Sequence, residues 1–233
     1  MFDGSTLNGW DGDKSFWHVE DGAITVESTC EKPTGTIYLV WQGGQPADFE
    51  MKLEMRGEGA QVNSGVQYRG AILKPDEGAR SPGRIPPGVC PDGKPRGIPP
   101  SKASQAKWDM LGAQFDFDGK NQYTGQYYEQ ATGRGIIAWR GQVVQTEEGK
   151  KPRLLAVLGD PEALGGYVKV DGWNQLHLIA RGREMTHIVN GHAMATLIDD
   201  SNMFRKSGLI GFEIEGTGKI SIRNIWIKKL SND

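Results

Sequence analysis

The sequence predicts an all-β fold, an antiparallel β-sandwich. Three observations carry this: short runs alternate apolar and polar residues, turn signals separate the runs, and helical periodicity is weak throughout. Successive side chains of a strand point to opposite faces, so alternation marks a strand with one face buried. Residues 17–20 and 23–26 form the first such pair around Asp21-Gly22, a strong hairpin signal. Residues 49–56 alternate over their whole length, and residues 63–73 are expected as an antiparallel neighbour. Gly57-Glu58-Gly59, between them, reads as a turn, as does Gly133-Arg134-Gly135. Later strands are expected at 112–118, 125–129, 135–139, 173–181, 185–189, 192–199, 208–215 and 219–230, with Asn190-Gly191 as a second hairpin turn. Residues 161–164 suit a single helical turn at most. Trp10, Trp17, Trp173 and Trp226 stand in apolar alternation and are expected in the core.

Residues 74–107 break this rhythm. They hold eight of the twelve prolines, including Pro86-Pro87 and Pro99-Pro100, and almost no aliphatic side chains. So long a segment without structure is uncommon inside a compact domain and is usually functional or disordered. The strands on its two sides carry matching polar faces, which argues for a loop beside a site within a single domain spanning 1–233 rather than a linker.

Composition excludes several function classes. A net charge of −2 and an isoelectric point near 6.1 give no footprint for nucleic acid or an anionic membrane. Mean hydropathy is −0.51, and no run approaches the roughly 18 apolar residues of a spanning helix. Met1-Phe2-Asp3-Gly4 lacks the charged and apolar regions of a signal peptide, so the chain reads either as cytoplasmic or as a mature form. Cys30 and Cys90 read first as free thiols, a bridge requiring an oxidising compartment.

Two polar strand faces stand out. In Asn63-Ser64-Gly65-Val66-Gln67-Tyr68-Arg69, alternation places Asn63, Gly65, Gln67 and Arg69 on one face. In Gln114-Phe115-Asp116-Phe117-Asp118 it does the same for Gln114, Asp116 and Asp118. Side by side, such strands make a floor of long hydrogen-bonding side chains suited to a polyhydroxylated ligand. Asp116 and Glu129, with Tyr127 two residues before Glu129, are candidates for general acid and base, or for holding a divalent cation. Asp116 and Asp118 are the candidate metal ligands, although the surrounding residues lack EF-hand spacing. Glu213 and Glu215 repeat the spacing of the two aspartates and read equally as a solvated face. Arg69 and Arg140 suit the polarising of a carbonyl oxygen or a surface ion pair, and Trp139 suits stacking on a sugar ring. Of the scattered histidines only His187, near Asn190-Gly191, is kept as a site residue. No His-Glu-x-x-His, Gly-x-Ser-x-Gly or phosphate-binding glycine loop occurs.

Phe2-Asp3-Gly4-Ser5-Thr6-Leu7-Asn8-Gly9-Trp10 resembles the "LFDGkSLdGW" opening of the 3-keto-disaccharide hydrolase domain family. The segment at 17–22, Asp48-Phe49-Glu50, the Asn63–Arg69 run, Trp173-Asn174 and Asn190-Gly191 resemble its later elements in order, across essentially the whole chain. Where the family often reads "yEvQilD", this chain has Gly112 or Ala113 at the glutamate position, so a role for that glutamate does not transfer. The resemblance implies a concanavalin A-like jelly-roll sandwich with a concave polar face. It also implies a bacterial enzyme, periplasmic or secreted, acting on glycosides whose sugar carries a 3-ketone. Such a ketone acidifies the C2 hydrogen, so a base can remove it while the C1 substituent leaves; water addition then gives net hydrolysis. On this reading Asp116 or Glu129 is the base. Arg69 and Gln114 support the oxyanion or a divalent cation (calcium, magnesium or manganese). Asn63, Gln67, Tyr127, Trp139, Arg140, His187 and Glu213 bind the sugar. The rival reading is a non-catalytic carbohydrate-binding module on the same sandwich; an ordinary two-carboxylate glycosidase is a third.

Overall fold

The structure, a computed structural model, describes residues 1–74, 90–99 and 107–231. The strands in chain order are β1 (Trp10–Asp11), β2 (His18–Glu20), β3 (Ala23–Ser28), β4 (Ile37–Trp41) and β5 (Phe49–Ile72). They continue with β6 (Met110–Asp118), β7 (Tyr127–Gln130), β8 (Gly135–Ala138), β9 (Gln142–Glu147) and β10 (Arg153–Val157). After one helical turn, α1 (Pro161–Gly165), come β11 (Asn174–Arg181), β12 (Glu184–Val189), β13 (His192–Asp200) and β14 (Leu209–Lys229).

Two long strands organise the molecule. The residues expected as two neighbouring strands, 49–56 and 63–73, form one continuous strand, β5, and 208–215 with 219–230 likewise merge into β14. The two run antiparallel along their whole lengths, from Phe49 opposite Lys229 to Gly70 opposite Leu209. The first half of β5 pairs with β11 and the second half with β6. Each long strand therefore serves a back layer at one end and a front layer at the other. The front layer runs β1-β4-β14-β5-β6-β7-β8, and the back layer β2-β3-β14-β5-β11-β12-β13-β9-β10.

The glycines that read as a turn mark the crossing between layers instead. Gly59 and Gly218 have φ of +104° and +147°, and a Cβ on Gly59 would lie 3.3 Å from the Gly218 Cα. A side chain at either position would push the two strands apart where they change layer. The sandwich is not wholly antiparallel either. β13 and β9 are parallel, because the chain passes from β8, at the front edge, directly onto the back edge.

The core lies between the layers. Val66, Tyr68, Phe115, Phe117 and Tyr127 from the front meet Phe49, Met51, Leu53, Met55, Leu176, Leu178 and Met185 from the back, all nearly inaccessible to solvent. Burying such side chains supplies roughly 1.5–3 kcal/mol each. Trp10 and Trp17 are core residues as expected, but Trp226 is 71% exposed. Trp173 is not a core residue either: it is half-buried, with the guanidinium groups of Arg56 and Arg223 over its ring.

Most of the proline-rich segment lies outside the described residues. Its described part, residues 90–99, is tied to the early chain. Cys30 and Cys90 form a disulfide rather than remaining as thiols, Gly97 N–H donates to Cys30 O (2.9 Å), and Lys94 Nζ sits 2.6 Å from Glu31 Oε1. The bridge joins residues 60 apart in sequence, a closure that in the chain-entropy account stabilises by about 4 kcal/mol. Cys90→Ser should lower unfolding stability by roughly 2–4 kcal/mol in urea titrations. An unchanged midpoint would mean that the surrounding contacts hold the segment without the bridge.

Candidate functional site

The front layer turns its polar face outward, and an open cleft of about 510 Å³ lies on it. The strand registers explain how distant residues meet there. On β5, Gly65 pairs with Asp116 of β6 on one side and with Glu213 of β14 on the other. Asn63 in the same way lies between Asp118 and Glu215. Because Gly65 has no side chain, Gln114 folds over it and donates from Nε2 to Glu213 Oε2. A Cβ on Gly65 would stand 2.6 Å from that nitrogen, so only glycine leaves room here for Gln114 to reach Glu213.

The cleft is lined by Asn63, Gln114, Asp116, Tyr123, Gln126, Tyr128, Gln130, Ile136, Glu213 and Glu215. Glu213 is 1% exposed and accepts from Tyr38 Oη (2.7 Å) as well as from Gln114. Glu215 accepts from Thr36 Oγ1 (3.1 Å) and Asn63 Nδ2 (3.3 Å). Asp116 is buried, and Gln126 Nε2 donates to its Oδ2 at 2.5 Å. Burial pushes the Asp116 carboxyl well above the usual carboxylate range; the Gln126 bond opposes this, and Glu213, Asp118 and Glu215 add to it. Asp116 thus holds its proton more tightly than an ordinary carboxyl, in a cleft whose other buried carboxylate, Glu213, accepts from Tyr38 and Gln114.

The raised Asp116 affinity for a proton has a stability consequence. Its contribution is fully present below the ordinary value of 3.8 and is lost as pH rises through the folded-state value. Asp116→Asn should therefore match the wild type in urea near pH 4 and become the more stable protein by about pH 8. Parallel pH dependences in the two proteins would contradict this.

The structure brings together Asn63, Gln114, Asp116 and Glu213 of the residues read from sequence in this cleft, and places Arg69, Tyr127 and Glu129 together around a second, smaller pocket. Glu129 pairs with Ala113 in register and therefore faces the core, on the opposite side of the sheet from Asp116. There it binds Arg134 Nε (2.9 Å), Thr132 Oγ1 (2.8 Å) and Tyr127 Oη (3.2 Å). Tyr127 shares that inner face, and its neighbour Tyr128 is the one in the cleft. Arg69 leaves the polar face because a bulge follows Tyr68 and its own φ is +46°. Its guanidinium binds Ala47 O (2.8 Å), Gly182 O (2.9 Å) and Asp48 Oδ1 (3.1 Å), which closes an end of the sandwich.

His187 is wholly buried, stacked on Phe115 at 4.2 Å, and burial pushes its pKa down to about 3. Gln67 is buried beside Gly112 with both amide atoms unpartnered, just off the cleft lining. Arg140 donates to Asn121 O (2.6 Å), fixing the turn after β6. Trp139 is 48% exposed with its ring 6.5 Å from Tyr123, which places it at the cleft rim.

The residues do not fit a cation held by Asp116 and Asp118. The Asp118 carboxylate already accepts from the backbone N–H groups of Gln122, Tyr123 and Thr124 and from Thr124 Oγ1, organising the turn after β6. Asp116 already accepts from Gln126 Nε2, and its burial favours the protonated form, which competes with a metal for its oxygens. Among the described residues no cluster of three or more His, Cys, Asp or Glu is arranged to hold a metal ion. Nor is any described helix long and apolar enough to cross a membrane.

Sequence reasoning passes over Tyr38, Gln126, Tyr128 and Gln130. The parity of β7 is the signal that indicates the last three, since Glu129 and Tyr127 point the other way.

A family model described as a 3-keto-alpha-glucoside-1,2-lyase-like domain matches residues 1–228. No curated protein matches the chain. Among solved structures, a candidate glycosyl hydrolase from Parabacteroides distasonis aligns with a TM-score of 0.52 at 18% identity, over 99% of this chain and 92% of that one. The carbohydrate-binding module CBM66 from Bacillus subtilis gives 0.54 at 11% identity, over 98% and 99%. A Bacillus subtilis protein described as having a galectin-like fold gives 0.55 at 12%, over 96% and 90%. At such identities the likeness is one of fold: a concanavalin A-like sandwich, as the sequence predicts.

Proposed function

Since the chain belongs to the 3-keto-alpha-glucoside-1,2-lyase-like domain family, we propose that its front-layer cleft cleaves 3-keto-glycosides by β-elimination across C1 and C2. The observation that carries this is the pair Asp116 and Glu213 on the two strands that flank Gly65, a buried carboxyl that favours its proton and a hydrogen-bonded carboxylate lining one cleft. Two carboxyl groups whose environments differ in this way suit opposite roles. Glu213, fixed by Tyr38 and Gln114, takes the C2 proton, and the C2–H electron pair forms the C2–C3 enolate. As the enolate collapses, the C1–O bond breaks and Asp116 gives its proton to the departing oxygen. The products are an unsaturated 3-keto sugar and the free aglycone; water adding across C1=C2 gives net hydrolysis. Asn63, Gln114 and Gln130 position ring hydroxyls, and Trp139 with Tyr123 offers a stacking rim. The Arg69 and Glu129 roles expected from sequence pass to groups that line the cleft.

The Cys30–Cys90 bridge supports a periplasmic or secreted location. A 3-keto-glucoside with a chromogenic aglycone, incubated in deuterated water, tests the reading. Aglycone release with exchange or loss at C2 is expected. Binding of an unoxidised oligosaccharide by calorimetry, with no release from the keto substrate, would instead make the protein a carbohydrate-binding module.

A further inference from the structure

A chain of hydrogen bonds runs from the core through the front layer into the cleft. His187 Nδ1 lies 3.0 Å from Gln126 O, a carbonyl that can only accept, so Nδ1 carries the ring hydrogen and Nε2 accepts from Tyr68 Oη at 2.9 Å. His187 is further fixed by stacking on Phe115 and Tyr127. On the far side of the sheet, Gln126 Nε2 donates to Asp116 Oδ2. That bond makes Oδ2 an acceptor, so a proton taken up by Asp116 is directed to Oδ1. Gln126 is 2% exposed, lines the cleft, and its Oε1 is buried without a partner. An unmet buried carbonyl oxygen costs free energy that a ligand hydroxyl would recover.

We propose that Gln126 is a positioning residue with two tasks: it fixes the Asp116 proton on Oδ1, and it accepts a substrate hydroxyl on Oε1. Its rigidity comes from His187, which holds the Gln126 backbone from the core side. The inference rests on the elimination reading for its catalytic consequence, though the link between Gln126 and Asp116 stands independently of it. A substrate hydroxyl at Oε1 polarises the amide, strengthens the Nε2 donor and so draws the acid into place only when the site is filled. An aglycone or ring lacking that hydroxyl leaves Oε1 unmet, which makes Gln126 a determinant of substrate choice.

Asp116 titration is the measure, followed by carboxyl-carbon NMR in the full-length protein. The groups facing Asp116 are Asp118 on its own strand, Glu213 and Glu215 from β14, and Tyr123 and Tyr128 across the cleft. Gln126→Met keeps the shape and removes the donor, so the Asp116 titration should move up by about one pH unit. Gln126→Glu places a second carboxyl against Asp116 and should move it further in the same direction. The alkaline limb of the turnover pH profile, where the general acid loses its proton, should follow, and Gln126→Met should raise KM about tenfold. An Asp116 titration unchanged in both folded variants overturns the proposal. A wild-type protein inactive on keto-glucosides in which Gln126→Met still shifts Asp116 would overturn the elimination reading and leave the positioning link standing.

Discussion

Replacing Asp116 by Asn, or Glu213 by Gln, should lower turnover of a 3-keto-glucoside by about 10²–10⁴-fold in proteins that remain folded. The size follows from the loss of one positioned proton-transfer group in each case. The Asp116→Asn variant keeps the contact to Gln126 but has no proton to release to the leaving oxygen, so kcat should fall with little change in KM. The Glu213→Gln variant keeps the neighbours Tyr38 and Gln114 but cannot take up the C2 proton, so deuterium exchange at C2 should disappear with turnover. The double variant should be hardly worse than the poorer single one, because both groups serve one elimination that neither completes alone. Aglycones of differing acidity separate the roles further. A good leaving group needs no acid, so Asp116→Asn should recover most of its loss on such a substrate while Glu213→Gln should not. Glu129→Gln serves as the contrast: its carboxyl faces the core beside Arg134, and its loss should alter stability before chemistry. Near-normal turnover in both Asp116→Asn and Glu213→Gln would remove the acid and base assignments together.

How far the sequence foretells this site, and where it fails, follows from what alternation can report. Period-two patterning ties residues to a common face within one strand, so Asn63 with Gln67 and Gln114 with Asp116 are readable at once. It carries no information on which strands pair, and nearness in sequence alone wrongly sets Glu129 beside Asp116. The register of β6 with β7 sets Ala113 against Glu129, and so puts that carboxylate on the inner face. Glu213 lies roughly a hundred residues away from Asp116 in sequence and reaches the site only because β14 runs alongside β5. Arg69 fails for a different reason. A single residue at positive φ ends the alternation, and nothing in Gln67-Tyr68-Arg69-Gly70 besides the glycine announces a bulge. The Gly-Glu-Gly run at 57–59 reads as a turn because glycine permits both a turn and the close approach of two backbones, and only the partner strand decides which.

The second large effect belongs to the opposite side of the sheet. Arg134→Met should destabilise the fold by about 3–5 kcal/mol, more than any single surface ion pair could. Arg134 binds Glu129 from β7 through Nε (2.9 Å) and Nη2. It also binds Asp199 Oδ2 (2.7 Å) and Ser201 Oγ (2.9 Å) from the end of β13, and Thr146 of β9 donates to the same Asp199 at 2.7 Å. Burial alone would lower the arginine, but the hydrogen bonds from Glu129 and Asp199 hold it well above its usual range. The side chains of Glu129 and Asp199 are 6% and 2% exposed, so methionine at this position would leave two carboxylates buried without their cation. One guanidinium thereby ties the β7–β8 edge of the front layer to β13 and, through Asp199, to β9 next to the edge of the back layer, where the two layers are not joined by strand pairing. The pH dependence distinguishes this from simple loss of packing. Burial would raise Asp199, yet its bonds to Arg134, Ser201 and Thr146 hold it below the ordinary 3.8. Its stabilisation is present above that value and is lost as pH falls through the folded-state value. Wild-type stability in urea should therefore decline on acidification, and Arg134→Met should show a flatter profile because the variant has already lost that contribution. A variant destabilised by less than about 1 kcal/mol, with the wild-type acid limb intact, would show that other contacts hold the two edges together.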